Sequence, residues 1–123
     1  HQVAAPLYFE PRLREMNLGV WEGMLNEELT RRYPLELRER KANPLTARPP
    51  GGGETAAEVV TRVRAAADDI AQRHPSASVV LVSHGLALAA LRCLAEARKL
   101  TEIYLWIPEN GVPYAVDWQS GVS

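Results

Sequence analysis

The sequence predicts an α/β domain: a three-layer, open, mostly parallel sheet flanked by helices. Two observations carry this. The run "SVVLVS" places four consecutive apolar residues, 79–82, with no polar alternation, which calls for cover on both faces as in a helix-sandwiched parallel sheet. Helical patterns sit directly before and after that run, the order expected of an open α/β fold.

Taken in order, "PLYFEP" (6–11) reads as a short strand bounded by prolines, which suits a sheet edge. After the loop "RLREMNLGVWEGML", Asn26 is placed to cap a helix with Glu27 and Glu28 in its first turn, running to Tyr33 before Pro34. A polar helix follows over 35–42, and "NPLTARPPGGGE" is too rich in proline and glycine for anything but a loop. Thr55-Ala56-Ala57-Glu58 fits a capping box. Ala56, Val59, Val60, Val63, Ala66, Ala67 and Ile70 then share one helical face, while Arg62, Arg64, Asp68, Asp69 and Arg73 lie largely off it. His74-Pro75 ends this helix, since the residue before proline is driven out of helical geometry. A helix apolar on most sides begins near Leu86 and ends among Glu96, Arg98 and Lys99. "IYLWIP" and "VPYAVDW" read as two more strands joined at the Asn110-Gly111 turn.

The 123 residues are 46% apolar and carry a net charge of −1, the profile of one globular domain with a core. Fourteen basic and fifteen acidic residues are scattered rather than blocked, so nothing favours nucleic acid or an anionic membrane as partner. No apolar run approaches the roughly 20 residues of a membrane span. The single cysteine, Cys93, reads as a small buried hydrophobe, and a cytoplasmic location is expected. The histidines lack Cys partners at ligand spacing, so no metal and no cofactor are expected.

Chemistry concentrates at "VSHGLA". His84 ends the apolar run, Gly85 lets the backbone turn sharply, and the following helix directs free amides and its positive end toward whatever His84 faces. This is the pattern of an anion site at the carboxyl end of a strand.

"VVLVSHG" resembles the second-histidine motif of the histidine phosphatase superfamily, the phosphoglycerate-mutase-like proteins. Three more stretches resemble it in the same order: "LREMNLGVWEG" (13–23), "PPGGGET" (49–55) and "IPENGVPYAV" (107–116). The resemblance implies that Glu15 is the general acid and that His84, with Gly85, binds the transferred phosphoryl group. A departing alcohol needs a proton from a carboxyl group, and a phosphate dianion beside that carboxyl favours its protonated form. An imidazole N–H stabilises charge on the phosphoryl oxygens. Trp21, Glu22 and Gly23 match the phosphatase-branch form of the loop, with Trp21 expected to pack and Glu22 to orient, and Trp21, Glu22 and Glu54 are the residues the resemblance suggests for the substrate loop. Glu54 is expected to hold its loop or cap the next helix. Arg48, Trp21 and Tyr33 are candidates for substrate selection.

The family's nucleophile lies in an Arg-His-Gly motif, and this sequence contains none. The expectation is therefore that residues 1–123 are the C-terminal part of a single histidine-phosphatase domain, inactive alone. The intact protein is expected to hydrolyse a small phosphorylated metabolite through a phosphohistidine. A mutase-type phosphotransferase and a non-catalytic phosphate-binding module are the alternatives. The partner expected for the open sheet position is the missing N-terminal segment or a second copy of the chain.

Overall fold

The computed structural model describes residues 6–119. Four α-helices carry it: α1 (Asn26–Arg32), α2 (Pro34–Ala42), α3 (Ala56–Arg73) and α4 (Gly85–Ala95). Segments Pro11–Leu13, Gly19–Trp21 and Leu100–Trp106 are 3-10 helices.

The frame is the α3–α4 pair. α3 starts at the capping box: Glu58 N–H donates to Thr55 Oγ1 at 3.1 Å, and Thr55 N–H donates to Glu58 Oε1 at 2.8 Å. Arg48 also bonds Glu58, and this contact comes first among those that hold the carboxyl at about 2, well below its ordinary 4.5. The α3 stripe Ala56, Val59, Val60, Val63 and Ala66 meets Leu86, Ala89, Ala90 and Cys93 of α4 in one buried cluster. Ile103 of the Leu100–Trp106 segment closes that cluster. Burial pushes the Cys93 thiol up, against the pull of Arg98 and Arg92. α3 ends at His74, whose N–H still reaches Ile70 O at 3.0 Å before Pro75. Arg12 joins the Pro11–Leu13 turn to this frame, pairing with Glu10 and with Asp69 of α3 at 2.7 Å each.

Four segments expected to be strands form none, and among the described residues there is no β-strand. "PLYFEP" has no regular structure up to Glu10, where the Pro11–Leu13 turn begins. Residues 79–82 are irregular, with Val80 88% and Val82 89% exposed and only Leu81 half-buried. "IYLWIP" is taken mostly into the 3-10 helix Leu100–Trp106, where Ile103 is buried and Leu105 exposed. "VPYAVDW" is irregular, although the turn before it forms, with Val112 N–H reaching Glu109 O at 3.4 Å and Gly111 at φ +77°. A β-segment is completed by a neighbour that accepts its backbone hydrogen bonds, and apolar residues alone do not supply one. A smaller correction concerns α1: Leu25, not Asn26, holds the N-cap position, without a side-chain bond, because the Trp21–Met24 turn delivers Leu25 in extended geometry.

Burial thus separates two valines the sequence treats alike. Val63→Ala removes two buried carbon groups and should cost about 1.5 kcal/mol or more. Val82→Thr should change stability by less than about 0.5 kcal/mol. Urea unfolding of the two variants measures the difference.

Candidate active site

The Glu15 carboxylate sits on the N-terminus of α4. Leu86 N–H donates to Oε2 at 3.0 Å, and Ala87 N–H donates to Oε1 at 3.2 Å. Met16 N–H donates to Oε1 at 2.8 Å. These α4 amides belong to the second and third helical positions, the donors a capping side chain normally satisfies. His84 holds the N-cap position in extended geometry but makes no side-chain cap bond. Glu15, 71 residues earlier than Leu86, caps the helix instead. The His84 ring is exposed and no hydrogen bond holds it among the described residues, while its carbonyl accepts from Leu88 N–H at 2.9 Å. The two residues named from sequence as acid and phosphoryl ligand therefore meet at one helix end. Ser83 Oγ donates to Leu13 O and ties the residue before His84 to the loop that carries Glu15.

Gly85 stands close against Glu15. Its φ is not in the left-handed region; instead a Cβ there would lie 3.3 Å from Glu15 Oε2 and 3.2 Å from Ile107 Cγ2. Its smallness lets the carboxylate approach.

The Glu15 loop is locked to the Pro49–Thr55 loop. Val20 N–H donates to Pro50 O at 2.9 Å, and Glu54 N–H to Asn17 O at 2.7 Å. Asn17 N–H returns a bond to Glu54 Oε1 at 3.1 Å. Gly19, at φ +60°, makes this possible, since a Cβ would stand 2.3 Å from the Pro50 carbonyl oxygen. Glu22 accepts Leu18 N–H at 2.7 Å and so braces the same loop. Glu54 holds the loop, while Thr55 and Glu58 cap α3.

Arg62 of α3 is the residue that sequence reading left among the polar positions. Its Nε and Nη2 bond Glu54 Oε2 and Oε1 at 2.7 and 3.0 Å. Nη1 donates to the carbonyls of Arg12 and Arg14 at 2.8 and 2.7 Å, and Nη2 donates to that of Glu15 at 3.1 Å. Burial pushes the Glu54 carboxyl up, but Arg62, the Asn17 amide and Arg14 together outweigh it and hold it below its ordinary value. The eight-residue spacing from Glu54 to Arg62 was visible, but nothing in it marks two turns of helix as facing a loop rather than water.

Trp21 is 2% exposed and packs 6.0 Å from the Tyr33 ring, with the Arg40 guanidinium 5.5 Å over its face. Together with Arg48 it lines a cavity of about 70 Å³. Arg48 is engaged with Gly53 O and Glu58, both at 2.7 Å. Tyr104 donates weakly to Met16 Sδ at 3.9 Å, and its phenol is pushed up mainly by burial.

The chain as a whole resembles known proteins. The sequence profile of the histidine phosphatase superfamily (branch 1) matches residues 1–122, and the chain belongs to that superfamily. It is 36% identical over 84 residues to phosphoserine phosphatase 1 of Hydrogenobacter thermophilus, covering 68% of this chain and 39% of that protein. It is 41% identical over 86 residues to a probable phosphoglycerate mutase, GpmB, of Yersinia enterocolitica, covering 67% of this chain and 38% of the relative. The solved structure of Bacillus stearothermophilus YhfR superposes with a TM-score of 0.73 at 28% identity, over 92% of this chain and 52% of that one. The chain thus spans about two fifths of the length of these curated relatives.

Two predictions follow from the loop lock. Gly19→Ala places a side chain against the Pro50 carbonyl in a left-handed conformation and should destabilise by at least about 1–3 kcal/mol in thermal or urea unfolding. Because the folded state depresses the Glu54 carboxyl, its contribution is present above the ordinary value of 4.5 and lost as pH falls through the lower folded value. Glu54→Gln should lower stability at pH 7 by roughly 1–3 kcal/mol and flatten the decline of stability below pH 4.5.

Proposed function

We propose that the whole protein hydrolyses small phosphomonoesters through a phosphohistidine intermediate, with His84 gripping the phosphoryl group and Glu15 supplying the proton. The observation that carries this reading is the Glu15 carboxylate seated on the α4 amides beside the exposed His84 ring. In the first step a histidine nitrogen, borne by an Arg-His-Gly motif outside this sequence, forms a bond to phosphorus. The ester P–O bond breaks, and the leaving alkoxide takes the proton of Glu15. In the second step water attacks phosphorus, the N–P bond breaks, and Glu15 recovers a proton from that water. A His84 N–H stabilises the equatorial oxygens in both steps.

The phosphatase reading rests on the "GVWEG" loop and on the short stretch between it and Pro49. Transfer to a second hydroxyl of a phosphorylated sugar acid is the second reading, favoured by the likeness to a protein named a probable phosphoglycerate mutase. Phosphoserine is the first substrate to try, from the name of the other relative. Cys93 is buried, no helix among the described residues is long and apolar enough to cross a membrane, and a reducing cytoplasm suits the chain. The exposed apolar residues Leu7, Phe9, Val80 and Val82 are the surface proposed to receive an N-terminal segment of the same fold.

This chain alone should give no turnover of p-nitrophenyl phosphate. Joined to an Arg-His-Gly-bearing N-terminal segment it should hydrolyse phosphomonoesters without added metal, and Glu15→Gln and His84→Ala should each lower kcat by about 10²–10⁴. Steady-state assays over a panel of phosphorylated metabolites measure both. Full rates in both variants would remove the site assignment, and transfer to a second hydroxyl instead of water would favour the mutase.

A further inference from the structure

Glu15 reaches the α4 amides from a segment with little structure of its own. Residues 14–18 lie in neither helix nor strand, between the turns Pro11–Leu13 and Gly19–Trp21. A carboxylate on such a segment keeps two amide bonds at 3.0 and 3.2 Å only if the backbone beneath it is held. Arg62 supplies that hold. A guanidinium has five N–H donors in a rigid plane, and here all five are used: two on the Glu54 carboxylate and three on the carbonyls of residues 12, 14 and 15. Arg62 stands near the middle of α3, the helix packed on α4, so it refers the position of Glu15 to the same frame that presents Leu86 and Ala87.

We propose that Arg62 is the positioning residue for the Glu15 carboxylate: through the carbonyls of Arg12, Arg14 and Glu15 it aims that side chain at the amides of Leu86 and Ala87. The functional weight of the aim rests on the reading of Glu15 as proton donor, but the aim itself is testable without turnover. Lysine keeps the charge and loses the plane. Its three donors spread from one nitrogen and cannot serve a bidentate carboxylate and three carbonyls together. Glu54 completes the device by fixing the guanidinium plane from the opposite side.

The test is amide hydrogen exchange by NMR on this chain, in the parent sequence, Glu15→Gln, Arg62→Lys and the double variant. Glu15→Gln should speed exchange at Leu86 and Ala87 on the order of tenfold. Arg62→Lys should speed the same two amides to a similar extent. Val63 and Ala90 in the core, and Leu88, whose amide bonds the His84 carbonyl, should stay protected. The double variant should exchange no faster at Leu86 and Ala87 than Glu15→Gln alone, because both changes remove one interaction. Unchanged Leu86 and Ala87 in Arg62→Lys would overturn the proposal. So would an acceleration shared equally by the core, or effects that simply add. Should Arg62→Lys not fold, Glu54→Gln replaces it, with a smaller acceleration confined to Leu86 and Ala87 expected and none overturning the proposal. A result in which these amides respond as described while Glu15→Gln leaves turnover of the completed enzyme intact would sink the proton-donor reading and leave the positioning role standing.

Discussion

A planar cation with every donor satisfied stands at the junction of the three segments that make the site. The Arg62–Glu54 pair is largely withdrawn from water, with side-chain exposures of 11% and 13%. A pair so placed repays its desolvation only when geometry is good and the remaining hydrogen-bonding groups are satisfied. Here the carboxylate takes two guanidinium bonds and a backbone amide, and the guanidinium takes three carbonyls besides. Loop, helix and glutamate hold one another, so the segment bearing Glu15 is ordered without being a helix or a strand.

That order has a consequence for the helix α4. A helix N-terminus presents donors that a nearby side chain usually takes, and the residue in the cap position is the usual choice. His84 does not serve, and a carboxylate remote in sequence does. The imidazole is left exposed, while the helix end already carries a negative group. Glycine at position 85 suits this arrangement, since a Cβ there would lie 3.3 Å from that carboxylate.

Elsewhere the chain exposes apolar side chains that a sheet would cover. Leu7, Phe9, Val80 and Val82 are each more than 80% exposed. Their sequences have the β-branched and aromatic character of strands, and the superposition on YhfR spans 52% of that structure. The apolar character is a property of the residues, whereas pairing is a property of two segments.

Helices were legible because their signals are local. The capping box at Thr55 and Glu58, the apolar stripe from Ala56 to Ala67, and the stop at His74-Pro75 each depend on neighbours within one or two turns. Each appears where the spacing puts it. The superfamily was legible from four short motifs in order; two of them carry Glu15 and His84, which the fold brings to the N-terminus of α4. What the sequence could not decide was set by partners distant along the chain. Whether 79–82 becomes a strand depends on a neighbouring backbone, and whether Gly85 turns or merely makes room depends on Glu15. Whether Arg62 faces water or five acceptors depends on Glu54, eight residues back, and on a loop 47 to 50 residues away. Periodicity reports which face of an element is apolar; only the tertiary fold brings the acceptors within hydrogen-bond reach of a polar one.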